Sequence, residues 1–122
     1  MKEAIVIAAH ESHVMDVLFT SDSKMLLSAG MDNTIKLWSV PSWQGISSLE
    51  GHKNSVNTLA LSPDEQLLLT GSSDTTVKLW SFPEGSLLNS LNGHKKTVAD
   101  VALSPDGKIA ASASYDSTVR LW

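Results

Sequence analysis

Apolar and polar residues alternate along this chain in short runs, and the runs carry strand signals rather than helical ones. The first unit begins with an alternating run over 14–19, Val-Met-Asp-Val-Leu-Phe. Its counterparts are 56–61 and 98–103, and each run predicts a strand. A turn follows, marked by Ser62-Pro63-Asp64-Glu65 and Ser104-Pro105-Asp106-Gly107, where proline presets the φ that a type I turn needs. Second strands are predicted over 25–29, 67–71 and 109–113. A polar turn then leads to third strands ending at Trp38, Trp80 and Trp122. Fourth strands are predicted over 46–49 and 87–91.

The pattern is periodic. His10, His52 and His94 stand 42 residues apart, as do Asp32, Asp74 and Asp116, and Trp38, Trp80 and Trp122. No gap separates the units, so an internal repeat decides the fold class. Four short strands per 42 residues, joined by turn residues, describe a meander, which is one blade of a β-propeller. The expected fold is therefore all-β, with three four-stranded antiparallel blades in one domain over 1–122. Its parts are an opening strand in 1–9, a first repeat in 10–51, a second in 52–93, and a third in 94–122 that lacks a fourth strand of its own.

The chain resembles the WD40-repeat family over essentially its whole length. Gly51-His52 and Gly93-His94, the Ser-Pro-Asp turns, and the ending Asp-x-Thr-(Val/Ile)-(Lys/Arg)-Leu-Trp carry the likeness. Ala9 precedes the first histidine in place of Gly, and Ser39 and Ser81 stand where the family's Asp would follow Trp. The resemblance implies a structural tetrad in each unit: His10, Ser28, Asp32 and Trp38; His52, Thr70, Asp74 and Trp80; His94, Ser112, Asp116 and Trp122. In it Asp holds His, His holds the hydroxyl, and the hydroxyl holds the indole N–H. The resemblance also implies a partner-binding face: His13, Met15 and Met31; Ser55, Asn57 and Ser73; Thr97, Ala99 and Tyr115.

Catalytic chemistry finds little support. A Ser-His-Asp set repeated three times, each copy tied to a Trp, reads as scaffold, because a nucleophile needs one exposed constellation beside an oxyanion site. His10-x-x-His13 is the only close histidine pair, and with no cysteine and no third ligand a metal site is not expected. No phosphate-binding glycine loop is present, so no cofactor is expected. Asp16 and Asp100 admit two readings, solvated or hydrogen-bonded polar positions, or paired carboxylates near a channel. Trp43, whose counterpart is Gly85, also admits two: packing onto a neighbouring loop, or contact with a partner.

Composition narrows the partners. Nine basic against 13 acidic residues give a net charge of −4, and Lys95-Lys96 is the only basic pair, so neither nucleic acid nor an anionic membrane is indicated. Zero cysteines exclude disulfides and thiolate metal sites. The apolar run 4–9 is too short for a signal-peptide core of roughly 7–15 residues. No stretch approaches the roughly 20 apolar residues of a membrane span, and a cytoplasmic protein is expected.

Propellers close with 4–8 blades, so three blades leave two apolar faces uncovered. By the 42-residue shift, 4–7 aligns with the fourth strand 46–49. The opening strand is therefore expected to finish the third blade of another copy, a domain-swapped contact. Two copies give six blades and three give nine, and the homodimer is preferred. The expected function is a non-enzymatic scaffold binding a protein or peptide. Two alternatives stand behind it: a truncated sensor or docking part of a larger regulatory protein, and third in order a hydrolase using the channel mouth.

Overall fold

The computed structural model describes residues 5–122. Eleven strands are present among them: β1 (Val14–Phe19), β2 (Met25–Gly30), β3 (Ile35–Ser39), β4 (Gly45–Leu49), β5 (Val56–Leu61), β6 (Leu67–Ser72), β7 (Val77–Ser81), β8 (Leu87–Leu91), β9 (Val98–Leu103), β10 (Ala110–Ser114) and β11 (Val119–Leu121). They form three antiparallel sheets, β1-β2-β3-β4, β5-β6-β7-β8 and β9-β10-β11, each a meander of sequential hairpins. The first strands of successive sheets lie beside one another, β1 by β5 and β5 by β9.

Local chemistry explains the turns. After each first strand a hydroxyl residue bonds an Asp two residues on: Thr20 to Asp22 at 2.7 Å, Ser62 to Asp64 at 2.6 Å, Ser104 to Asp106 at 2.6 Å. The same hydroxyl oxygens accept the amides that open the second strands, from Met25, Leu67 and Ile109. Side chain and backbone together close each hairpin and set its register.

The core lies between sheets. Leu27, Ile35, Leu37 and Leu49 of the first blade meet Val56, Leu59, Leu68, Trp80 and Phe82 of the second. Leu69 and Val77 of the second meet Val98, Val101 and Ala110 of the third. At this second junction side chains close over Gly71, where an added Cβ would stand 2.7 Å from Val98 Cγ1 of the third blade and 2.8 Å from Thr58 Cγ2 of its own. Gly71→Val should therefore lower stability by about 1–3 kcal/mol through overpacking. Urea unfolding checks this, and an unchanged midpoint would show that the two blades are not in firm contact.

Two faces stay open. Val14, Val17 and Phe19 on the first blade are about half exposed, and Val119 and Leu121 on the third are 67% and 70% exposed. The opening strand was expected over 1–9. Residues 1–4 lie outside the described residues, and residues 5–10 carry no strand pairing. A strand exists only with a neighbour to bond, and the single chain offers none there.

Candidate functional site

Two loops from each blade, one entering its first strand and one entering its third, converge at one end of the first strands. The residue before the repeated Asp donates its amide to the carbonyl three residues after the repeated His: Met31 to His13, Ser73 to Ser55, and Tyr115 to Thr97, each at 2.9 Å. Those bonds hold two of the face positions of each blade side by side. The third position is set by a β-bulge. Register shifts between Val14 and Asp16, Val56 and Thr58, and opposite Ala113/Ser114 leave Met15, Asn57 and Ala99 as the extra residues. A bulge re-aims its side chain off the sheet's alternation.

The result is a concavity of about 410 Å³ lined by Met15, Met31, Asn54, Ser55, Asn57, Ser73, Thr97, Ala99 and Tyr115. Eight of the nine face positions named from sequence meet there. The ninth, His13, stands just outside with Nδ1 3.1 Å from Met31 Sδ. Asn54 was not foreseen, and its only sequence signal is the Asn-Ser turn dipeptide, where its Oδ1 accepts the Ser55 amide. The floor is polar and mutually bonded. Ser55 Oγ donates to Asn57 Oδ1 at 2.8 Å, and Asn57 Nδ2 donates to Ser73 Oγ and to the Val98 carbonyl. Methionines on one side and Tyr115 on the other form exposed apolar walls.

Behind the loops lie the tetrads. Imidazole Nδ1 meets the carboxylate at 2.8–3.0 Å in all three: His10 with Asp32, His52 with Asp74, His94 with Asp116. Nε2 lies 2.7 Å from the hydroxyl of Ser28, Thr70 or Ser112. Each hydroxyl oxygen also accepts the indole N–H of Trp38, Trp80 or Trp122 at 3.0 Å. The three hydroxyl residues are at most 2% exposed. Every polar atom along this path is thus paired, as buried polar groups must be.

The carboxylates are strongly stabilised as anions. Burial opposes the charge on Asp32, but the Thr34 hydroxyl, the His10 imidazole and the Glu11 amide outweigh it and lower its pKa to about 2. Burial also opposes the charge on Asp74, while His52, Thr76 and the Lys53 amide hold it far below the usual carboxylate range. At Asp116 the Thr118 hydroxyl leads, against burial, with the Lys95 amide and His94 adding to it.

Asp16 and Asp100 do not pair with each other. They stand on β1 and β9 with Thr58 of β5 between them. Asp16 Oδ2 accepts the Leu59 amide of the next blade at 2.9 Å, and Thr58 Oγ1 accepts the Val101 amide of the blade after at 3.3 Å. Thr58 Oγ1 also donates to Asp100 Oδ1 at 3.1 Å. Both nitrogens of His10 are taken within its tetrad, so the His10-x-x-His13 pair is not turned toward a common ligand. Trp43 sits in the loop between β3 and β4, where it lines an apolar hollow with Ile5, Ile7, Val17, Phe19 and Leu26.

No helix among the described residues is long and apolar enough to cross a membrane. Comparison with curated proteins returned no match. The family model described as "WD domain, G-beta repeat" matches three tandem stretches, 1–39, 43–81 and 85–122. With three antiparallel sheets, three hydrogen-bonded tetrads and nearly the whole length matched in phase, the chain belongs to the WD40-repeat family.

Proposed function

We propose that this protein is a non-enzymatic scaffold that holds a protein or peptide partner over the loop face of its blades. WD40 repeats as a class suggest a protein-interaction scaffold. The observation that carries the reading is the concavity into which the three loop sets converge, with its bonded polar floor and apolar walls. Such a floor suits the amides and carbonyls of an extended peptide, and the walls suit an apolar side chain. Methionine adapts to irregular apolar surfaces, and tyrosine is enriched among energetically dominant contacts. The buried tetrad hydroxyls, each already accepting an indole N–H, are poor nucleophiles, which supports a non-enzymatic role. A chain without cysteine folds unchanged in a reducing compartment, in keeping with a cytoplasmic working place.

The propeller is completed by a second copy, giving six blades, and Tyr115 of one chain then neighbours His13, Met15 and Met31 of the next. Replacing Met31 and Tyr115 together with Ser tests the binding face. Both are exposed, so the melting temperature should hold within about 2 °C while partner capture falls at least tenfold. Unchanged capture, or capture lost only in step with stability, removes the binding face from this surface.

A further inference from the structure

We propose that the loop face takes an acidic peptide, with a carboxylate side chain received over the second and third blades and a neighbouring apolar side chain laid on the methionine wall. The proposal rests on the reading that this face binds a peptide, and it names the chemistry of that peptide.

The hydrogen bonds of the floor leave donors over. Asn57 is fully bonded: its amide oxygen accepts from Ser55 Oγ, and its Nδ2 donates to Ser73 Oγ and to the Val98 carbonyl. Asn54 is bonded on one side only. Its Oδ1 accepts the Ser55 amide at 2.8 Å, which fixes the orientation of the side chain and leaves both Nδ2 protons without a partner among the described residues. Ser73 Oγ, which accepts from Asn57, still has its own proton to give, and the Thr97 hydroxyl on the same concavity is unbonded among the described residues. The spare capacity is therefore rich in N–H and O–H donors, and no carboxylate side chain lines the concavity. A carboxylate accepts on every lone pair, and it bonds such donors more strongly than a neutral carbonyl does. An ammonium or guanidinium, which only donates, would meet amide oxygens that are already taken.

Charge at the rim points the same way. The loops entering the first strands carry Glu11 in the first blade, Lys53 in the second, and Lys95 and Lys96 in the third, all exposed. Among the described residues the ion pairs are those of the tetrads, so the three ammonium groups stand unpaired. Lys53 precedes Asn54, and Lys96 holds in the third blade the position that Asn54 holds in the second. Two cations therefore flank the donor cluster. Asp32, Asp74 and Asp116 lie in the loops entering the third strands, but their side chains are only 12%, 8% and 9% exposed and each is bonded to its histidine. The one exposed anion, Glu11, stands on the first blade, beside the methionines. An apolar centre holds a peptide by burial, while a charged rim selects the sign of its flanks and speeds encounter.

A library of random peptides of about nine residues is displayed on phage and selected on the immobilised full chain; at roughly 3.3 Å per residue such peptides cross three blades stacked about 10 Å apart. The selected peptides should be enriched at least about fivefold in Asp and Glu beside an apolar residue, and depleted in Lys and Arg. Selection on the chain carrying K53E with K96E should reverse the charge preference and keep the apolar residue, whereas selection on M31S with Y115S should lose the apolar residue. The charge-keeping chain, K53R with K96R, should retain the acidic preference. All four positions are exposed, so every variant should melt within about 2 °C of wild type. A peptide from the first selection should bind the K53E, K96E chain at least about tenfold more weakly than wild type, and should weaken as salt screens the rim. Apolar enrichment without acidic preference, or an acidic preference that the K53E, K96E chain keeps, would overturn the acidic peptide and leave the peptide-binding face standing. No enrichment of any kind would overturn both. Tighter binding of an oligothymidylate of about ten nucleotides, lost in the K53E, K96E chain, would assign the rim to nucleic acid and overturn the peptide.

Discussion

Trp80→Ala is expected to lower the stability of the chain by about 3–5 kcal/mol, the range for deleting a large buried aromatic. Trp80 is 2% exposed and fills the junction between the first and second blades. Its loss would remove ring contacts on both sheets and leave Thr70 Oγ1 without the indole donor it has at 3.0 Å. The His52 ring, whose centroid is 6.3 Å away, would lose its packing surface as well. Since a domain of this kind is stabilised by only about 5–15 kcal/mol, the variant should melt well below wild type or fail to accumulate folded. Tyr115→Ser is the control: at 69% exposure it should change stability by no more than about 0.5 kcal/mol. Urea unfolding at matched protein concentration measures both. A deficit under about 1 kcal/mol for Trp80→Ala would mean that the blades do not depend on this junction, against the burial that defines it.

What the sequence revealed, and what it hid, follows from where each interaction lies. Strand positions were legible because each blade repeats the same hydrophobic alternation every 42 residues. Runs 14–19, 56–61, 87–91 and 98–103 match the observed strands residue for residue, and the remaining observed strands differ by one residue at one end or at both. The loop face was legible in position but not in cause. His13, Met15 and Met31 came from the resemblance, whereas the bulges and the 2.9 Å amide bonds that gather such residues are backbone features. Backbone acceptors and donors leave no trace in side-chain identity. Asp16 shows this best: its partner is the Leu59 amide of the next blade, so nothing in the spacing of carboxylates announced it. The Glu65 carboxylate that accepts the Ser21 amide and hydroxyl across the same junction escaped for a related reason, since its counterparts are Ser23 and Gly107. Trp43 was conspicuous as a departure from the repeat, but its hollow is formed partly by Ile5 and Ile7 from a distant stretch of chain.

The tetrads fix this framework, and Asp74→Ala should therefore cost about 2–3 kcal/mol at neutral pH, the magnitude for losing charge-assisted hydrogen bonds in a buried setting. The Asp74 side chain is 8% exposed and that of its partner His52 is 0% exposed. Asp74 also accepts from the Thr76 hydroxyl at 2.6 Å and from the Lys53 amide at 3.0 Å, so the substitution releases a loop as well as a ring. The deficit carries a pH signature. The folded-state pKa of Asp74 lies far below 3.8, the ordinary value for an aspartate, which the unfolded chain approaches. Its contribution is therefore fully present above about pH 4 and fades as the pH falls toward the folded pKa, because the unfolded state then binds the proton first. Wild type and Asp74→Ala should differ most at pH 7 and begin to converge as the pH falls below about 4, with the wild type losing stability faster over that range. Asp32, held at about 2, works in the same direction in the first blade. Chemical denaturation at a series of pH values reads the difference directly. A gap that stayed constant into acid would show that the carboxylate is not what holds His52. Full thermal stability in Asp74→Ala, together with loss of a measurable activity, would reverse the structural reading of the tetrad and make Asp74 a candidate for chemistry.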